Sequence, residues 1–164
     1  MTQSPLSRRR VLGALGAGGA GLFAGCNDVS DGGEPKYEAG EVTDLEASNR
    51  SAENVTAAEA LAEQEANEGV TALDTLTIRN HEFVLEDSFH GPTVQGTVAN
   101  TGEDRIELVE VRVRVFNESG NQIGRYLDVT GDLPPNSTWE FQVVLLELTT
   151  DIAEYDIAVL GTPS

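Results

Sequence analysis

His81, Asp87 and His90 come nearest, in type and spacing, to a metal site in this chain. They include the only two histidines, nine positions apart. A bend between them would bring two imidazoles and a carboxylate to one zinc ion. The plainer reading is one histidine at a strand end and one in a loop, unrelated to each other. Asp128 and Asp132 flank a glycine turn at Gly131 and suggest calcium. That ion takes about six to eight oxygens, so two acids and a few carbonyls would hold it weakly. Trp139 would suit a sugar platform, but it shares parity with Phe141 and Val143. Parity points it to the core or the core edge. No serine lies in a nucleophile-elbow sequence, and neither histidine has a convincing serine or cysteine partner. No reaction and no cofactor are therefore expected.

Cys26 is the single cysteine, which excludes an internal disulfide and a multi-cysteine metal centre. Its setting points to a different chemistry. Ser7-Arg8-Arg9-Arg10-Val11-Leu12 places charge just ahead of an apolar stretch. Val11 to Ala24 is uncharged and rich in Gly and Ala, and at 14 residues it is shorter than the roughly 20 needed to span a bilayer. Leu22-Phe23-Ala24-Gly25-Cys26 follows, with small residues before the cysteine. The whole resembles a twin-arginine lipoprotein signal. Arg8 and Arg9 match its paired arginines, and Ala24-Gly25-Cys26 matches the end of a lipobox; Phe23 departs from the aliphatic residue usual there. The resemblance implies export after folding, removal of residues 1–25, and a thioether-linked lipid on Cys26 at the mature N-terminus. One lipid group anchors only marginally by hydrocarbon burial, and a two-chain lipid holds better.

The chain carries 10 basic and 28 acidic residues, a formal net charge of −18. Beyond residue 25 the count is seven bases against the same 28 acids, or −21. Such a surface is not built to bind nucleic acid or anionic lipid headgroups through a basic patch. Lys36 is the only lysine. High acid with almost no lysine resembles proteins of salt-loving archaea. At molar salt the Debye length is roughly 3 Å, so repulsion between carboxylates is screened. Each acidic cluster then reads as a solvated face.

Three segments must position these residues. Residues 1–25 form the signal. From 26 to 69 the chain is acidic and polar, is broken by Gly32-Gly33-Glu34-Pro35, and reads as a solvated spacer. Within it Asn54 to Ala66 favours a marginal, unpacked helix that Thr56 would cap. From 70 to 164 the pattern is that of strands. Val111, Val113 and Val115 alternate with Arg112 and Arg114. Val94, Gly96 and Val98 alternate with Gln95 and Thr97, and Trp139, Phe141, Val143 and Leu145 share a face. Ile123, Leu127 and Val129 make a return strand, and Tyr155, Ile157 and Val159 the last one. Phase changes predict bulges between Asn80 and Glu82 and near Val109. Asn117 to Asn121 is a turn cluster, and Leu133-Pro134-Pro135-Asn136 forces a corner. Six or seven short strands at this spacing predict an all-β, immunoglobulin-like sandwich. Arg112 and Arg114 would pair with Asp or Glu across strands.

Phe83-Val84-Leu85-Glu86-Asp87 resembles the signature of the FxLyD domain. Phe83, Leu85 and Asp87 match it, and Glu86 replaces its tyrosine. Thr93 to Asn100 resembles that family's second strand, Val111 to Gly120 its long strand and hairpin, and Leu133-Pro134-Pro135 with Trp139 and Phe141 its later corner. The resemblance covers about Thr75 to Val159. It implies an immunoglobulin-like module of prokaryotic surface lipoproteins with no established enzymatic role.

The expected function is thus a non-catalytic lipoprotein on the extracytoplasmic face of the cell membrane. It would be held by the lipid on Cys26 and would bind an envelope protein or ligand, or act as a spacer. The alternative is a ligand- or metal-binding accessory lipoprotein of a transport or redox complex. Four sequons, at Asn49, Asn54, Asn117 and Asn136, fall in the spacer or in turns and are candidate glycosylation sites.

Overall fold

The computed structural model describes residues 33–43 and 50–164. The elements run β1 (Glu38–Glu41), α1 (Ala52–Ala62), β2 (Leu76–Leu85), β3 (Pro92–Asn100), β4 (Ile106–Phe116), β5 (Gln122–Leu133), β6 (Thr138–Val144) and β7 (Glu154–Pro163). A 3₁₀ turn, Thr149–Asp151, precedes β7. Two antiparallel sheets, β1-β7-β4-β5 and β2-β3-β6, face each other. The described residues form an all-β sandwich of seven strands. In an immunoglobulin layout A, B and E share one sheet and C, F and G the other. Here β2, β3 and β6 follow A-B-E, β4 and β7 follow C-F, and β1 lies beside β7 at the G position.

The alternating residues explain the packing. Val109, Val111, Val113 and Val115 of β4 and Tyr155 and Ile157 of β7 meet Phe83, Val94, Val98, Phe141 and Val143 of the other sheet. Trp139 packs at the edge of this core. Burial of each such side chain stabilises by about 1.5–3 kcal/mol. Two bulges adjust the phase. The one in β2 lies between Ile78 and Asn80, slightly earlier than the pattern suggests, and returns Phe83 to the core. The other, expected near Val109, lies between Ile106 and Leu108.

A third irregularity, between Val115 and Phe116, pairs Val115 with Gly124 and Phe116 with Gln122, leaving Ile123 extra. It reverses the parity expected for β5. Val113 opposes Tyr126 and Val111 opposes Asp128, so a tyrosine and an aspartate face the inner space. Leu127 opposes Arg112 and lies on the outer face, where it is nevertheless buried.

The segment read as a solvated spacer is attached to the sandwich wherever it is described. Gly33 bridges to Ala72, β1 pairs with β7 from Glu38↔Ile157 to Glu41↔Glu154, and Thr71 bridges to Gly161. The helix is packed, contrary to expectation. Ser51, not Thr56, caps it, accepting from the Asn54 amide at 3.3 Å. Ala58 and Ala62 are buried, and the helix lies near β6. Alanine needs no large apolar partner to pack, because its small side chain allows backbone to approach backbone. Leu61 faces solvent.

Candidate functional site

The histidines do not converge. His81 follows the β2 bulge and turns inward, where Nδ1 lies 2.8 Å from Tyr155 Oη and the rings meet edge-on. Burial, followed by the Glu82 charge, pushes the Tyr155 phenol up to about 12. His90 belongs to the 86–91 loop, stacks on Phe89 and shares a 2.8 Å hydrogen bond with Ser88 Oγ. Asp87 is exposed in the same loop. Among the described residues no three His, Cys, Asp or Glu side chains are placed to hold a metal. Phe83 is buried and Leu85 half-buried, in keeping with a packing role.

Asp128 and Asp132 also part. Asp132 adopts φ 61° and accepts from Arg105 at 3.0 Å on the surface. Asp128 turns inward and accepts from the amides of Val129 at 2.9 Å and Gln142 at 3.0 Å. Gln142 lies in β6, an edge strand of its sheet, so the carboxylate completes an edge that has no strand neighbour among the described residues. Burial holds the Asp128 carboxyl above the usual range, and the two amides oppose that shift.

Near Asp128 lies a polar cluster absent from the sequence reading. Arg50 donates to the carbonyls of His90 and Leu145, the latter at 2.6 Å. Gly91, at φ 61°, leaves no room for a Cβ beside this guanidinium. Tyr126 donates to Glu147 at 2.8 Å. Burial raises the Glu147 carboxyl and the Tyr126 phenol and lowers the Arg50 guanidinium. Arg50 thus pins the start of the helix to the ends of β3 and β6. Its only sequence signal was its place inside a sequon.

The outer face of the four-stranded sheet carries Glu110, Arg112 and Arg114 of β4 and Arg125 of β5. Glu110 is fully buried, unlike the solvated acid expected. It accepts from Arg112 Nε and, at 2.9 Å, from the Asn67 amide. Arg112 Nη2 in turn donates to the Asn67 carbonyl at 3.0 Å. Arg114 pairs with Asp156, its direct cross-strand neighbour, through Nε at 2.8 Å and through Nη2, and lies over the Tyr37 ring. Arg125 makes no ion pair with the described residues. The 64–70 segment and Gly33–Pro35 wall an open cleft of about 870 Å³ over this face, floored by Arg112, Arg125 and Leu160. It is polar, and Glu65 and Glu68 line it together with the two arginines.

Cys26, Arg8, Arg9 and Asn49 lie outside the described residues. Asn54 lies in the first turn of α1 and is half-buried. Asn117 Oδ1 accepts from the amides of Ser119 and Asn121, both at 3.0 Å, and so forms the turn. Asn136 is exposed at φ 56°. Among the described residues no helix is long and apolar enough to cross a membrane.

No family model matches the chain, and no solved structure matches it. The chain is similar to an uncharacterized protein of Methanocaldococcus jannaschii, 31% identical over 84 residues. That alignment covers 50% of this chain and 62% of the relative, so the chain spans less than two thirds of the relative's length.

Proposed function

We propose that this protein is a lipid-anchored, non-catalytic module of the cell envelope. Residues 1–25 direct twin-arginine export, Cys26 carries the lipid, and an FxLyD-like sandwich outside the membrane binds an envelope component. The observation that carries this reading is the order of Arg8-Arg9, an uncharged run, and Ala24-Gly25-Cys26, directly ahead of a β-sandwich. The acidic surface suits a salty exterior and disfavours nucleic acid. The test is fractionation of cells expressing the native chain or Cys26→Ser. The native protein should pellet with membranes and the variant should move to the soluble fraction or the medium. Equal retention of both would refute the lipid anchor.

The accessory-lipoprotein reading draws on one observation, the cleft over Arg112 and Arg125. A carboxylate on a small ligand would meet Arg125, with Glu65 and Glu68 also lining the cleft. Calorimetric titration with simple carboxylates, using the native protein and Arg125→Gln, tests it. Heat that is lost in Arg125→Gln supports this reading, and no heat from either removes it.

A further inference from the structure

The described chain joins the sandwich at Gly33, long before the strand-rich region begins. From there it runs along the edge of β7 as a strap. β1 pairs with four residues of β7, and Thr71 exchanges two backbone hydrogen bonds with Gly161 further along the same edge, at 2.9 and 2.8 Å. Two side-chain fits seat the strap. Gly40 lies directly on the Tyr155 ring, where any Cβ would overlap it. The Arg114 guanidinium lies 3.6 Å from the centre of the Tyr37 ring, a cation–π contact. The exposed Lys36–Asp74 pair, at 3.7 Å, adds little.

Because β1 is antiparallel to β7, its direction fixes which end of the sandwich the chain enters. Gly33 sits at the pole that holds Ala72, Gly161 and the 101–105 turn. Glu41 ends at the opposite pole, with Glu154, the Asn117–Asn121 hairpin and the 86–91 loop.

We infer that the strap orients the domain on the membrane, with the Gly33 pole facing the lipid surface and the hairpin pole facing outward. This inference rests on the lipid at Cys26. Only residues 27–32 separate Cys26 from Gly33. Seven Cα steps reach at most about 25 Å. A spacer free as far as residue 69 would instead have a root-mean-square span of about 35 Å and a limit of about 150 Å, and the domain would tumble. With the strap seated, the sandwich stands above the bilayer with one pole near the headgroups. The length of β4 carries the other pole about 35 Å further out. An envelope partner then meets the hairpin pole or the flanks, while the Gly33 pole meets lipid.

The experiment uses the full chain, purified with its lipid and placed in vesicles containing an acceptor-labelled lipid. Cys26 is the only native cysteine and is blocked by the thioether, so Glu103→Cys or Ser119→Cys takes a donor dye alone. Both positions are exposed, one at each pole. Energy transfer should be several-fold stronger from position 103 than from 119. Gly40→Val, and more mildly Tyr37→Ala, should narrow that difference, because each unseats β1 and lengthens the free spacer. Vesicle flotation is scored on the same samples. Protein that floats but transfers equally from both positions would overturn the orientation while leaving the anchor standing. Protein that does not float would overturn the anchor and the orientation with it.

Discussion

Replacing Arg112 by alanine should destabilise the domain by about 3 kcal/mol. Glu110 is fully buried, and the Arg112 side chain is 14% exposed. Removing one partner of a buried pair costs about 3–5 kcal/mol, because the other charge stays desolvated. The lower end applies here, since Glu110 keeps the Asn67 amide and Arg112 is near the surface. The loss also frees the Asn67 carbonyl, which loosens the 64–70 segment over the sheet. Urea unfolding at fixed salt would read the change as a lower midpoint at nearly constant slope. Thermal unfolding would read a drop of roughly 10 °C at this chain length. Glu110→Leu combined with Arg112→Leu should recover part of the loss, because neither charge then remains buried alone. A cost below about 0.5 kcal/mol for Arg112→Ala, the value of an exposed pair, would rule out a sealed Glu110–Arg112 pair. It would mean that water reaches Glu110 and that the segment does not seal the face.

Asn100→Ala should cost about 3 kcal/mol. The buried Nδ2 lies 2.8, 3.2 and 3.1 Å from the carbonyls of Asp104, Leu133 and Pro134, and Oδ1 accepts from Gly102 at 3.0 Å. Each buried group left unpaired costs about 1–3 kcal/mol, and a loss under 1 kcal/mol in chemical denaturation would contradict this role. Ser51→Ala should remove about 1 kcal/mol through loss of the helix cap, read as faster amide exchange in the first turn of α1. Unchanged exchange there would count against it. Asp128 gives a pH test. Its folded-state pKa is raised by burial, so the folded protein takes up a proton more readily than the unfolded chain. Relative to Asp128→Asn, the native protein should therefore gain stability as pH falls from neutral through that raised value. Movement in the opposite direction would show the carboxylate to be stabilised in its charged form.

Strand alternation was legible because valines facing a sheet partner repeat every second residue, as in Val111, Val113 and Val115. The same rule misled in β5. There one extra residue, Ile123, turns Leu127 outward and Asp128 inward. β1 left no signal, because Glu-Ala-Gly-Glu has no apolar alternation. It forms from backbone pairing along an open edge and from the fit of Gly40 on Tyr155. Arg50 and Glu110 were hidden for a related reason. The partners of Arg50, and the Asn67 amide that covers Glu110, lie 40 or more positions away in sequence and are main-chain atoms. An acidic chain makes every glutamate look solvated until a distant segment is found to cover it. The pairing of Arg114 with Asp156 was foreseeable in kind, since an outward arginine in an acidic sheet finds a cross-strand carboxylate. Of the metal candidates, spacing alone suggested His81 and His90, and the β2 bulge sends one of them inward to Tyr155.

The most direct measurement is mass spectrometry of the N-terminal tryptic peptide from membrane-purified protein. Cleavage by trypsin falls after Lys36, so the expected peptide begins at Cys26, ends at Lys36 and carries the mass of a two-chain lipid on sulfur. An unmodified peptide running from Val11 to Lys36, with Gly25 still joined to a free Cys26 thiol, would contradict it.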